Sequence, residues 1–132
     1  MKQITVFLEN ESGRLSAMTQ CLAEAGVNMQ ALTIAESAEY GLVRIICDDP
    51  EAALTALKVG DYRAIATDVV AIEVTNQAGG LAKLLETLDG LNLNIEYGYC
   101  FSTSDATAID VLKIKGAEQA VAAIEAAGFK VL

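Results

Sequence analysis

Residues 2–9 alternate as a half-buried strand does, with Ile4, Val6 and Leu8 on one face. Asn10–Arg14 is a turn. Beyond it the apolar period lengthens: Leu15, Met18, Cys21, Leu22 and Ala25 recur at spacings of three and four, the face of a helix over Leu15–Ala25. Gly26 ends that helix. Asn28–Ser37 and Tyr40–Cys47 read as strands joined by a short polar turn. Asp48 or Asp49 caps the next helix, Pro50 takes its first position, and Leu54 and Leu57 lie on its apolar face. Gly60 stops it, and Tyr62–Thr67 is a strand.

The same order then returns. Val69–Thr75 is a strand, Leu81–Leu91 a helix, Asn94–Ser102 and Thr107–Ile114 strands, Ala117–Ala127 a helix stopped by Gly128, and Phe129–Leu132 a strand. Displaced by 66 positions, the halves align without a gap from Ile4 to Asn28. Asn10, Gly13 and Leu15 fall on Asn76, Gly79 and Leu81, and Asn28 falls on Asn94. Near the end the displacement is 67, setting Leu54 on Val121, Leu57 on Ile124 and Tyr62 on Phe129. Chance matches of apolar positions are common; matched Asn and Gly positions in one register are not.

The pattern predicts an α+β chain of two tandem ferredoxin-like βαββαβ units, residues 1–68 and 69–132. Each has an antiparallel sheet with both helices on one face. The linker at Asp68 is almost absent, so the units are expected to be packed together rather than strung on a tether. Both alternating sets are apolar in the stretch Leu42, Val43, Ile45, Ile46 and Cys47, where a sheet with one wet face would alternate. A unit of about 65 residues is also near the lower limit for an adequate core. The small size predicts that the units pack together or pair with another chain; the 53% apolar residues and positive mean hydropathy reflect either many alanines or, as the sharper reading, a surface covered by a second copy, a homodimer.

The net charge is −9, and it is shared: residues 1–66 hold 9 acids and 5 bases, residues 67–132 hold 9 acids and 4 bases. No basic cluster exists, which argues against nucleic acid and against an anionic membrane surface as partners. No apolar run of about 20 residues suggests a membrane helix, and the opening Met1-Lys2-Gln3-Ile4-Thr5-Val6 has no signal-peptide character. Cys21, Cys47 and Cys100 are odd in number and lie in apolar periodic segments, and they read as reduced core thiols of a cytoplasmic protein.

The informative segments are Asn10-Glu11-Ser12-Gly13-Arg14-Leu15 and Asn76-Gln77-Ala78-Gly79-Gly80-Leu81, both N-x-x-G-x-L between a first strand and a first helix. Glycine there permits a tight turn and close approach of a ligand. The helix start offers N–H groups and a partial positive charge to a carboxylate. Asn as an ordinary helix cap is the plainer alternative.

This turn, twice, in βαββαβ order, resembles the ACT domain family of small-molecule regulatory modules, whose motif is roughly D-x-P-G-x-L. Asn10 and Asn76 stand at the usual Asp, and Ser12 and Ala78 at the usual Pro. The resemblance spans nearly the whole chain and is closest to stand-alone tandem ACT proteins, with Phe7-Leu8-Glu9-Asn10, Leu32-Thr33-Ile34-Ala35 and Asn94-Ile95-Glu96-Tyr97 as similar segments. It implies binding of an amino acid or related small carboxylic acid where two units meet, and regulation of a partner enzyme. One pocket would use Asn10, Ser12, Gly13, Arg14 and Leu15 opposite Asn94, Ile95 or Glu96. The other would use Asn76, Ala78, Gly79, Gly80 and Leu81 opposite Asn28, Met29 or Gln30. Arg14 is either a carboxylate partner or a solvated surface charge; Gly80 offers neither. Tyr97, Tyr99 and Phe101 share one strand face, as sheet packing or as a ligand wall.

Enzyme signatures are missing. The chain has no histidine, no G-x-S-x-G, no C-x-x-C and no phosphate-cradling G-x-x-x-x-G-K-[ST]. No metal or cofactor is expected. A ligand-responsive regulatory protein is the favoured reading, and an oligomerisation module with idle pockets is the alternative. An enzyme built on carboxylates or Tyr40 is the least supported.

Overall fold

The computed structural model of the chain describes residues 1–36 and 39–132. Among them the elements run β1 (Lys2–Glu9), α1 (Arg14–Glu24), β2 (Met29–Glu36), β3 (Tyr40–Cys47), α2 (Pro50–Val59), β4 (Arg63–Asp68), β5 (Val70–Thr75), α3 (Gly80–Gly90), β6 (Ile95–Ser102), β7 (Thr107–Ile114), α4 (Ala117–Ala126) and β8 (Lys130–Val131). The chain divides into two compact units, Lys2–Thr67 and Asp68–Leu132 with Met1. Their sheets have the orders β2-β3-β1-β4 and β6-β7-β5-β8, the ferredoxin-like arrangement. The resolved pairings are antiparallel.

Each core is the seam between sheet and helices. In the first unit Ile4, Val6 and Leu8 of β1 and Val43 and Ile45 of β3 meet Met18 and Leu22 of α1 and Ala53 and Leu57 of α2. In the second, Val70, Ile72 and Val74 with Leu112 and Ile114 meet Leu84, Leu88, Ala120 and Ile124. The period-two and period-3.6 patterns thus converge on one layer. Asp49 caps α2 by accepting the Ala52 N–H at 3.0 Å, with Pro50 next to it. Asp48 instead accepts the Asn28 N–H at 3.0 Å and ties down the start of β2.

Several boundaries differ from expectation. Helices α1 and α3 start one residue early, at Arg14 and Gly80, because a left-handed glycine turns the chain directly into the first helical residue. The predicted strand Asn28–Ser37 is observed as Met29–Glu36, and Ser37 lies outside the described residues. Strand β8 is only Lys130–Val131. Ala25, expected on the apolar face of α1, is exposed beyond the helix end. The cysteines are all free thiols, but Cys47 alone is buried; Cys21 is half-buried and Cys100 is exposed. Cys100 is exposed because it stands on β6, an outer strand of its sheet.

One core position breaks the pattern. Asp110 of β7 is 4% exposed, opposite Ile72 and Cys100, where the repeat places Val43. Its Oδ2 has no hydrogen-bond partner. Desolvation raises its pKa from 3.8. The folded state therefore keeps the proton to higher pH than the unfolded chain, and stability falls as pH climbs from 3.8 through the folded-state value. Asp110→Asn should melt higher than the parent at neutral pH, with the gain vanishing below the unfolded-state pKa; thermal melts across a pH series check this. Truncating the seam, by Leu57→Ala or Ile124→Ala, should cost about 2–5 kcal/mol in urea denaturation.

Candidate functional site

The two strand-to-helix turns share one backbone design. Gly13 and Gly79 are the helix N-caps, with φ 85 and 89°, and neither helix start has a side-chain cap. A Cβ at either glycine would meet nothing within 4 Å, so the left-handed conformation, not crowding, requires glycine there. Arg14 N–H donates to Glu11 O at 3.3 Å, and Gly80 N–H to Gln77 O at 3.0 Å. The first intrahelical bonds are Ala17 N–H to Gly13 O and Lys83 N–H to Gly79 O, both 3.0 Å. That leaves the N–H groups of Leu15, Ser16, Leu81 and Ala82 without an acceptor among the described residues. Two adjacent open donors at a positive helix end suit a carboxylate.

The asparagines do not cap these helices. Asn76 Nδ2 donates to Ser104 O at 3.4 Å, and Asn76 N–H to Ala106 O at 2.9 Å, pinning the turn to the β6–β7 connection. Asn10 N–H donates likewise to Glu39 O at 3.4 Å. Asn10, Ser12, Gly13 and Arg14 are exposed and Leu15 is half-buried; Asn76, Ala78, Gly79 and Leu81 are exposed and Gly80 is buried. A Cβ on Gly80 would run into the Thr75 carbonyl oxygen, so the second turn cannot carry a side chain where the first carries Arg14.

The strand starts named with the turns lie elsewhere. Glu9 pairs with Tyr40 and Glu36 with Gly41, whereas Met29 pairs with Cys47. Asn28, Met29 and Gln30 therefore sit at the end of their sheet opposite the Asn10–Leu15 turn. Asn94, Ile95 and Glu96 stand likewise opposite Asn76–Leu81, since Thr75 pairs with Thr107 and Ile95 with Ile114. A turn and a strand start of the same unit do not come together. Asn28, Gln30, Asn94 and Glu96 are exposed; Met29 and Ile95 are half-buried. Tyr97, Tyr99 and Phe101 are half-buried and pair with Lys113, Val111 and Ile109.

Each turn borders a cavity that the sequence reading missed. The first, about 380 Å³, is lined by Phe7, Leu8, Glu9, Arg14, Tyr40, Asp61, Tyr62 and Arg63. The second, about 310 Å³, is formed in part by Glu73, Thr75, Gly80, Lys83, Thr107, Gly128, Phe129 and Lys130. The two are the same place in the repeat: Phe7 corresponds to Glu73, Arg14 to Gly80, Asp61 to Gly128, Tyr62 to Phe129 and Arg63 to Lys130. Their chemistry differs. Arg63 lies 5.3 Å over the Phe7 ring, whereas Lys130 donates to Glu73 Oε2 at 3.1 Å. Arg14 Nη2 is 3.4 Å from Glu9 Oε1, a half-exposed pair of small intrinsic worth. The signal was in the repeat alignment, as charge changes at positions otherwise matched.

No group of three metal-ligating side chains occurs among the described residues, and no helix among them is long and apolar enough to cross a membrane. No curated protein sequence matches the chain. The protein BT0572 from Bacteroides thetaiotaomicron is similar over 99% of this chain and 90% of its own, with 37% identity and a TM-score of 0.94. The ligand-free regulatory subunit of aspartate kinase from Thermus thermophilus is 21% identical with a TM-score of 0.70, over 96% of this chain and 89% of that one. The corresponding subunit from Thermus flavus is 20% identical with a TM-score of 0.66, over 95% and 88%. These two show a shared fold. The family model for an ACT domain pair matches residues 1–129, and with βαββαβ units each carrying the glycine turn, the chain belongs to the ACT domain pair family.

Proposed function

We propose that the protein is a non-enzymatic regulator that binds an amino acid or related small carboxylic acid at its glycine turns. The carrying observation is the pair of uncapped helix starts, each with two open N–H groups beside a left-handed glycine. A ligand carboxylate would take those donors. Arg14 would exchange its weak pair with Glu9 for the ligand in the first turn. Second strands that begin as Asn28–Gln30 or Asn94–Glu96 do, in another unit, would close the site, because strand starts and turns of one unit face away from each other. Regulatory subunits of aspartate kinase share the fold, which supports an enzyme of amino-acid or carboxylic-acid metabolism as the partner. A ligand held by two units favours one arrangement of them over another and so shifts the surface offered to that partner. The cytoplasm fits the free thiols.

Leu32 and Ile34 stand exposed on the outer strand β2, which favours assembly of copies as a homodimer. Sedimentation should return twice the chain mass, and Ile34→Lys should lower it to one.

A thermal-shift screen of the twenty amino acids and related carboxylic acids tests the ligand. At a hundredfold excess over Kd the right compound stabilises by about 2.7 kcal/mol. Gly13→Asn and Gly79→Asn keep the left-handed backbone, since Asn tolerates it, but put a side chain into the space before the turn. At least one should abolish the shift. A flat response to the whole panel would remove the proposal and leave an oligomerisation module.

A further inference from the structure

We infer that helix α3 and the start of β6 form a docking groove for an amphipathic helix of a partner protein, one with apolar residues along a face and lysine or arginine beside them. The groove, about 560 Å³, lies within the second unit. Its floor is Leu88, buried, with Leu93 and Ile95, half-buried; Leu85, Glu86 and Asp89 stand exposed along its rim. Leu81 and Leu91, the latter at the C-cap of α3, are exposed as well. Leu81 lies four positions before Leu85, so the apolar strip continues along one helix face. A single exposed leucine is ordinary, but three beside a leucine-floored groove mark an interaction surface.

The repeat isolates the feature. Leu88, Leu93 and Ile95 match Leu22, Val27 and Met29, which pack in the first core, so the floor serves the fold in both units. The rim does not. Leu85, Glu86, Asp89 and Leu91 stand where the first unit has Thr19, Gln20, Ala23 and Ala25. The one acid of α1, Glu24, matches Gly90, which does not line the groove. The same helix can therefore be built without apolar or acidic side chains at these positions.

Charge selects the occupant. The charged side chains lining the groove are both acids, and neither carboxylate has an ion pair or hydrogen bond among the described residues. Lys83 lines the other cavity of this unit, and Lys115, whose N–H donates to Asn94 O, does not line this one. A second copy fits poorly. Twofold contact through α3 sets Glu86 and Asp89 of one copy against those of the other, and the apolar faces of α1, α2 and α4 are already buried in the cores. An incoming helix with basic edges meets both demands: its apolar face covers Leu85 and Leu93, and its cations reach the two carboxylates.

The probe is a fluorescently labelled peptide of roughly 14 residues, about four helical turns, built of leucine on one face and lysine on the other, with a leucine and glutamate analogue as its control. Fluorescence anisotropy with the full chain should show saturable binding of the lysine peptide, about tenfold or more tighter than of the glutamate peptide. Leu85→Thr, the residue α1 carries at that place, should weaken it about tenfold, as loss of one buried leucine does. Glu86→Gln with Asp89→Asn should weaken it by a similar factor and flatten its dependence on salt. Glu118→Gln with Glu125→Gln, the same charge change on α4, should leave it as it is. These variants keep Gly79, Leu81 and Ala82, so the outcome is separate from that of the carboxylate proposal. Equal losses in the two double variants would reduce the binding to attraction by net charge and overturn the groove, as would no binding by the native chain. Sedimentation of Leu85→Thr at half the native mass would also overturn it and give the face to a second copy.

Discussion

The left-handed backbone at Gly13 and Gly79 is the constraint on which both units turn. Each first strand must hand the chain to a helix that folds straight back across the sheet, or Met18 and Leu22, and their counterparts Leu84 and Leu88, miss the apolar face they bury. A glycine at φ 85 or 89° makes that reversal within a few residues and leaves no side chain to cap the helix. Folding and the proposed binding are thereby coupled. The tight turn that sets the core also leaves N–H donors bare at a positive helix end, and an external acceptor is the natural complement.

Duplication lets this geometry be read twice, with the fold held constant. The helix-facing seam is nearly interchangeable between the copies, apart from Asp110 standing at the place of Val43. The rims have diverged. Where the first has Arg14 the second has Gly80, which the Thr75 carbonyl forbids from bearing a side chain, and where the first has the Phe7–Arg63 stack the second has the Glu73–Lys130 ion pair.

The fold was legible because it rests on local chemistry. Alternation in β1 and the three–four spacing in α1 each name one element, and the internal repeat doubles every observation. The helix starts were misplaced by one residue because glycine propensity does not reveal that Gly13 serves as the cap. Cys100 looked like a core thiol because its segment is apolar, but strand order, which sets it on an outer strand, is a tertiary fact. Of the site, the turn residues could be read from a local motif. The cavity of Phe7, Asp61 and Arg63 could not, because it gathers side chains more than fifty residues apart that carry no motif of their own.

Amide chemical shifts are the most direct test of the central claim, that the bare helix starts receive a ligand carboxylate. With the compound that stabilises the chain most, the N–H resonances of Leu15 and Ser16, or of Leu81 and Ala82, should move saturably and more than those elsewhere in the helices. Saturable binding that leaves all four amides in place would contradict it.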